Sequence, residues 1–162
     1  MAKHFPNSKF KGFDFHEPSI EAARSQAKRE GLKNVSFEVA TAKNFPGKNY
    51  DFATIFDALH DMGDPVGASR HIKETLSPNG TLMLVEPRAG DNLTENMHVF
   101  GQIFYGFSTT ACVPASIAQE VGLALGAQAG EKRLTKVLNE AGFQNIRRTC
   151  DNPTNIVLEV KI

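Results

Sequence analysis

Phe52-Ala53-Thr54-Ile55-Phe56-Asp57-Ala58-Leu59-His60-Asp61 is the stretch on which the fold of this chain turns. Its first five residues form an apolar run with no polar alternation, as a strand covered on both faces requires. Three polar side chains, Asp57, His60 and Asp61, then arrive together at the carboxyl end of that strand. Packing gives no reason for such a cluster, so it is a candidate site.

Upstream, Phe10-Lys11-Gly12-Phe13 reads as a strand ending at Asp14. A helix follows, with Pro18 near its first turn, where a missing N–H costs nothing. Ile20, Ala23 and Ala27 form its inward stripe and Gly31 stops it. Val35 to Val39 is a further strand. Downstream, Asp64-Pro65 opens a second helix with Ala68, Ile72 and Leu76 on one face, and Pro78-Asn79-Gly80 ends it in a turn. Thr81 to Val85 is the next buried strand, closing at Glu86-Pro87. Strands alternating with helices imply parallel pairing through crossovers, hence a Rossmann-like, doubly wound α/β sheet. Ligands of such sheets sit beyond the carboxyl ends of the strands, here marked by Asp14, Thr41, Asp57 and Glu86.

The segment 92–128 has another character. Met97, Phe100, Phe104 and Phe107 lie at helical spacing, and Val99, Ile103 and Tyr105 leave that helix apolar almost all round. Such a helix is expected to be covered by the core, a partner chain or a substrate pocket. A last helix turns Leu134, Val137, Leu138 and Ala141 inward and is capped by Gly142-Phe143. Asn145 to Thr149 and Asn155 to Val160 should close the domain as an antiparallel hairpin around a short turn.

The 162 residues amount to one domain, and a 41% hydrophobic content excludes a disordered tail. The 18 basic and 18 acidic side chains cancel without segregating, which argues against nucleic acid or an anionic membrane as partner. The only cysteines, Cys112 and Cys150, make neither a disulfide framework nor a CxxC zinc spacing. Reduced thiols and the lack of an apolar leader point to the cytoplasm, and no metal is implied.

Each candidate residue has two readings. Asp14 suits the paired hydroxyls of a ribose, or it serves as an acid at a helix start. Asp57 suits a cationic group such as an amino acid's ammonium, the favoured reading, or it bonds the loop backbone. His60 is either a general base, with an unperturbed pKa near neutrality, or a side chain bonding the loop backbone. Thr41-Ala42-Lys43 follows a strand where a backbone N–H can meet an adenine edge. Cys112 is expected to be buried rather than nucleophilic. Glu86 and Arg88 either line a substrate pocket or pair with each other.

Taken in order, these segments resemble class I S-adenosylmethionine-dependent methyltransferases. Phe10-Lys11-Gly12-Phe13-Asp14, with a helix ending at Gly31-Leu32, resembles the family's second motif. The stretch from Asn49 to Asp61 is similar to its fourth-strand motif. Leu76-Ser77-Pro78-Asn79-Gly80-Thr81-Leu82 through Glu86 resembles its L-x-P-G-G-x-L-x-x-x-E turn and strand, and Ala141-Gly142-Phe143 its AGF. Ser108 to Pro114 is similar to the branch that carries an N-terminal winged-helix-like domain.

The resemblance implies S-adenosylmethionine as cofactor and a small-molecule methyl acceptor. It implies that Asp14 binds the ribose with Phe15 beside the adenine, and that Thr41 stands where the family has an Asp on the adenine amino group. Ala42 would offer its N–H to the ring, and Asp57 with Ala58 would lie near the methionine moiety, His60 being the candidate base. The family's strand and D/E-x-G-x-G-x-G loop before the acidic strand are not among the nine residues preceding Phe10. Their absence is expected to leave two strand edges unpaired, unless those strands pair directly or another chain fills the gap. Self-association is expected on the same ground. The rival expectation is a non-catalytic module that binds, regulates or oligomerises.

Overall fold

The acidic strand forms as β1 (Phe10–Asp14), and α1 (Glu17–Arg29) returns the chain so that β2 (Val35–Val39) lies parallel to β1, with Phe10 opposite Val35 and Asp14 opposite Val39. Helix α1 buries Ile20, and Arg24 reaches across to the Phe37 carbonyl at 2.8 and 3.1 Å. Its end is closed by Gly31, whose N–H bonds the Lys28 carbonyl while that of Leu32 bonds Ala27. Gly31 sits at φ +65°, a conformation that costs a residue without Cβ nothing. Phe13 stacks on Phe45 with ring centroids 4.9 Å apart.

The computed structural model describes all 162 residues, and their contacts fall into two units, Met1–Pro46 and Gly47–Ile162. The second unit holds a four-stranded mixed sheet of β3 (Tyr50–Phe56), β4 (Leu76–Pro87), β5 (Asn145–Asp151) and β6 (Asn155–Lys161), in the order β3-β4-β6-β5. β3 runs parallel to β4, and β6 is antiparallel to both β4 and β5. Helix α2 (Pro65–Thr75) starts as expected, with the Asp64 carboxylate accepting the Gly67 N–H at 2.8 Å and Pro65 in its first turn. After it come α3 (Val99–Phe107), a π-helical turn (Ser108–Cys112), α4 (Val113–Ile117) and α5 (Gly130–Glu140). Leu82, Leu84, Leu134, Leu138, Phe143, Leu158 and Val160 are its buried centre. No helix is long and apolar enough to cross a membrane.

Three expectations change. The Pro78-Asn79-Gly80 turn is absorbed into β4, which begins at Leu76 opposite Tyr50 and takes up the extra residues as a register shift between Tyr50 and Phe52. β3 is not covered on both faces: Phe52 is 46% and Phe56 55% exposed on one face, whereas Ile55 on the other is buried. The two open strand edges expected from the sequence are present: β1 pairs only with β2, and β3 only with β4. Of the three covers expected for the apolar helix α3, the core is not one: only Gly101 of its residues is buried, and its packing is on the turns that flank it.

Candidate functional site

In the first unit the relevant groups stand beyond the carboxyl ends of β1 and β2. The exposed Asp14 has one oxygen, Oδ1, accepting the His16 N–H at 2.8 Å, so it does help start α1. Oδ2 takes no protein donor. Phe15 beside it is 75% exposed and lines an open depression of about 460 Å³ with Val39, Ala40 and Thr41. Thr41 Oγ1 donates to Asn44 Oδ1 at 2.9 Å and accepts from the Lys43 N–H at 3.3 Å, which leaves one lone pair. The half-buried Ala42 keeps its N–H free of any protein acceptor.

In the second unit the turn after β3 is organised by a residue the sequence reading misassigned. Parallel register sets Phe56 beside Val85, so the next residues, Asp57 and Glu86, emerge from neighbouring strands. Glu86 is 1% exposed. Its Oε1 accepts the N–H groups of Leu59 at 2.9 Å and Ala58 at 3.3 Å, and its Oε2 meets His60 Nδ1 at 2.5 Å. Glu86 therefore pairs with His60 and not with Arg88, which lies 3.6 Å from Asp151 instead. The signal was available: two carboxylates closing adjacent parallel strands, with a histidine three residues beyond one of them.

His60 is 4% exposed. Burial disfavours its charged form, but the hydrogen bond and charge of Glu86, with Asp61 and Asp57 adding to them, outweigh this and raise its pKa above the usual histidine value. Its other nitrogen, Nε2, lies 3.3 Å from Asp61 Oδ1. Neither nitrogen bonds the loop backbone, as one sequence reading had it. Cys112 is buried as expected, and burial together with Asp61 pushes its thiol up to about 11, so it is no nucleophile near neutral pH.

Asp57 is exposed, with its Oδ1 accepting from Asn155 Nδ2 at 2.7 Å. Its φ of 44° is in the left-handed region, which aspartate tolerates better than most residues. Both backbone groups of Ala58 are committed, the N–H to Glu86 and the carbonyl to the Asp61 N–H at 3.2 Å. Any contact it makes with a ligand is through its methyl group. A larger surface depression of about 690 Å³ runs along α5 from Asp91 to Glu140 and includes none of the predicted residues.

Comparison with known proteins bears on the family and the fold. Residues 1–142 match the family model described as "Methyltransferase domain". Over 83 residues the chain is 31% identical to the uncharacterized methyltransferase YcgJ of Bacillus subtilis (strain 168), an alignment covering 50% of this chain and 33% of that protein. It is 30% identical, with the same coverage of 50% and 33%, to the demethylmenaquinone methyltransferase of Lactococcus lactis subsp. lactis (strain IL1403). The alignments thus span about a third of these curated relatives. Among solved structures, PigF with SAH superposes with a TM-score of 0.74 at 14% identity, over 99% of this chain and 45% of that one. At that identity the likeness is one of fold, the α/β fold of class I methyltransferases. The family match covers well over half of the sequence, and the chain belongs to the methyltransferase-domain family.

Proposed function

We propose that this chain is a single methyltransferase domain, residues 1–162, that transfers a methyl group from S-adenosylmethionine to a small-molecule acceptor. The observation that carries the reading is Asp14: an exposed carboxylate at the tip of a parallel strand, with one oxygen free of protein donors. Family membership and the demethylmenaquinone relative support the same chemistry.

The residues fit the cofactor's adenosine half. Asp14 Oδ2 accepts from ribose hydroxyls, Phe15 offers an aromatic face, Ala42 its free N–H and Thr41 its remaining lone pair. In the second unit, Asp57 keeps an oxygen for an ammonium group, and Ala58 offers a methyl surface beside it. When bound, S-adenosylmethionine supplies an electrophilic methyl group on its sulfonium. His60, the base expected from sequence, is buried and tied to Glu86, which supports a role in holding the turn that presents Asp57. The segment 92–128 belongs to the acceptor side or to an interface. The free cysteines suit the cytoplasm.

Calorimetric titration with S-adenosylmethionine tests this reading. Asp14→Ala should weaken binding by about 1–3 kcal/mol with an unchanged far-ultraviolet spectrum, the range for hydrogen bonds to a charged group. Unchanged affinity would remove Asp14 from the site. The open edges of β1 and β3 favour a second reading, a non-catalytic module, and absence of any binding heat supports that one.

The exposed face of α3 fits a second copy of the chain. Val99 is 68%, Ile103 44% and Phe107 59% exposed, an apolar stripe at helical spacing turned to solvent. Sedimentation at tens of micromolar, roughly the range of weak but specific association, should show a dimer or larger species. A clean monomer there rules out the interface.

A further inference from the structure

The geometry points to a zinc-type cation site built from His60 Nε2, Asp61 Oδ1 and Cys112 Sγ, one nitrogen, one oxygen and one sulfur ligand, with a fourth position left for water. All three donor atoms lie within 4.8 Å of one another. His60 Nε2 and Asp61 Oδ1 are 3.3 Å apart. Two ligands bound about 2.1 Å from a tetrahedral zinc stand roughly 3.4 Å apart, so this pair already has the spacing of one edge of the tetrahedron. A zinc–sulfur bond of about 2.3 Å asks for Sγ roughly 3.6 Å from each of them, a small closure from the present upper bound.

Three further observations single out this cluster. Glu86 Oε2 holds His60 Nδ1, which fixes the ring and leaves Nε2 directed at Asp61 and Cys112. A carboxylate behind a ligating histidine is the usual second layer of a zinc site. Asp61 Oδ1 is buried and makes no well-aligned hydrogen bond, with only His60 Nε2 and the Cys112 thiol facing the carboxylate, although the side chain as a whole is 46% exposed, which leaves water a way in. An acceptor left bare in this way is costly unless something else satisfies it.

The segments that carry the ligands are also bound together independently of them. Ser116 Oγ donates to the Met62 carbonyl at 2.9 Å, and Gln119 Nε2 to the Asp61 carbonyl at 2.9 Å. The Gly63 N–H returns to Gln119 Oε1 at 3.0 Å. Cys112 enters from the π-helical turn, a helix irregularity often found at functional sites. The mixed donor set suits a borderline cation such as Zn²⁺ over Mg²⁺ or Ca²⁺, which prefer oxygen alone. A bound ion would clasp the turn after β3 to the start of α4.

The test uses the full chain, stripped with a chelator and titrated with zinc chloride by calorimetry and with cobalt(II) chloride by absorption. The expected result is one ion per chain and a thiolate-to-cobalt charge-transfer band. Cys112→Ser should abolish the band, Asp61→Asn should weaken zinc binding at least tenfold, and Cys150→Ser should leave both unchanged. Asp61→Asn alters a half-exposed side chain, so it remains informative if Cys112→Ser fails to fold. No stoichiometric uptake by the wild type, a band that survives Cys112→Ser, or undiminished affinity in Asp61→Asn each overturns the site. None of these readouts involves S-adenosylmethionine, so they stand apart from the methyltransferase reading.

Discussion

Glu86→Ala is expected to remove about 3–5 kcal/mol of folding stability, measured as a shift of the urea midpoint at constant slope. The carboxylate is buried and answers two backbone N–H groups and one imidazole. Its removal strands all three donors in a buried site, and each orphan carries its own desolvation cost. Glu86→Gln, which keeps an acceptor for Leu59 and loses the charge, should cost less.

The pH dependence has a definite sign. His60 has a folded pKa above the usual value, so its contribution is fully present below about pH 6.5. It is lost as pH rises through the raised folded value. The stability gap between wild type and Glu86→Ala should therefore be widest near pH 6 and narrow on the alkaline side. A gap below about 1 kcal/mol at pH 6, under a typical single hydrogen bond, would show that Glu86 does not anchor the turn.

Phe143→Ala should cost a comparable amount, about 3–5 kcal/mol, from the cavity left by a ring that is 1% exposed. The loss has a second source at the end of α5. The Phe143 N–H bonds the Leu138 carbonyl at 3.0 Å and the Gly142 N–H bonds Asn139 at 2.9 Å, with Gly142 at φ +97°. In such a cap the side chains of Phe143 and Leu138 also pack together, so truncating the ring loosens the cap as well as the core. A thermal-unfolding shift of only a degree or two would mean that the centre of the second unit lies elsewhere.

The elements were legible where local chemistry determines them. Pro18, Asp64-Pro65, Gly31 and Gly142-Phe143 each mark a helix end by a mechanism that needs only neighbouring residues, and the helices begin and stop there. The alternation of strands and helices announced the α/β class for a similar reason. Exposure was less legible. Phe52 and Phe56 read as buried because apolar runs usually are, but coverage depends on what packs against each face of the strand, and a local run does not specify that. The insertion of β6 beside β4 was likewise invisible, since a hairpin's own turn does not say which neighbour its second strand will find.

In the first unit, Asp14 and Thr41 were singled out because strand ends are where parallel sheets place ligands, and Phe15 by resemblance; Phe15 and Thr41 line one depression, and Asp14 and Ala42 are their neighbours in the chain. His60 was found as a residue of interest, yet its partner was not, because Glu86 is adjacent only through the register of β3 with β4. Cys112 is more remote still. It comes to His60 and Asp61 through a fold-back that no local spacing encodes, and for that reason the absence of a CxxC pattern said little about metal ligands.

The position of β6 also governs the order in which the second unit can be made. During translation β4 emerges with β3 already available as a neighbour, but its other edge belongs to a strand that is still unsynthesised. All of α3, α4, α5 and β5 must leave the ribosome before that edge can be covered. For that interval the nascent chain presents Leu82 and Leu84, both fully buried at the end, along an unpaired backbone beside the equally apolar α3. That edge is covered only when Ile156, Leu158 and Val160 arrive to fill the middle of the sheet.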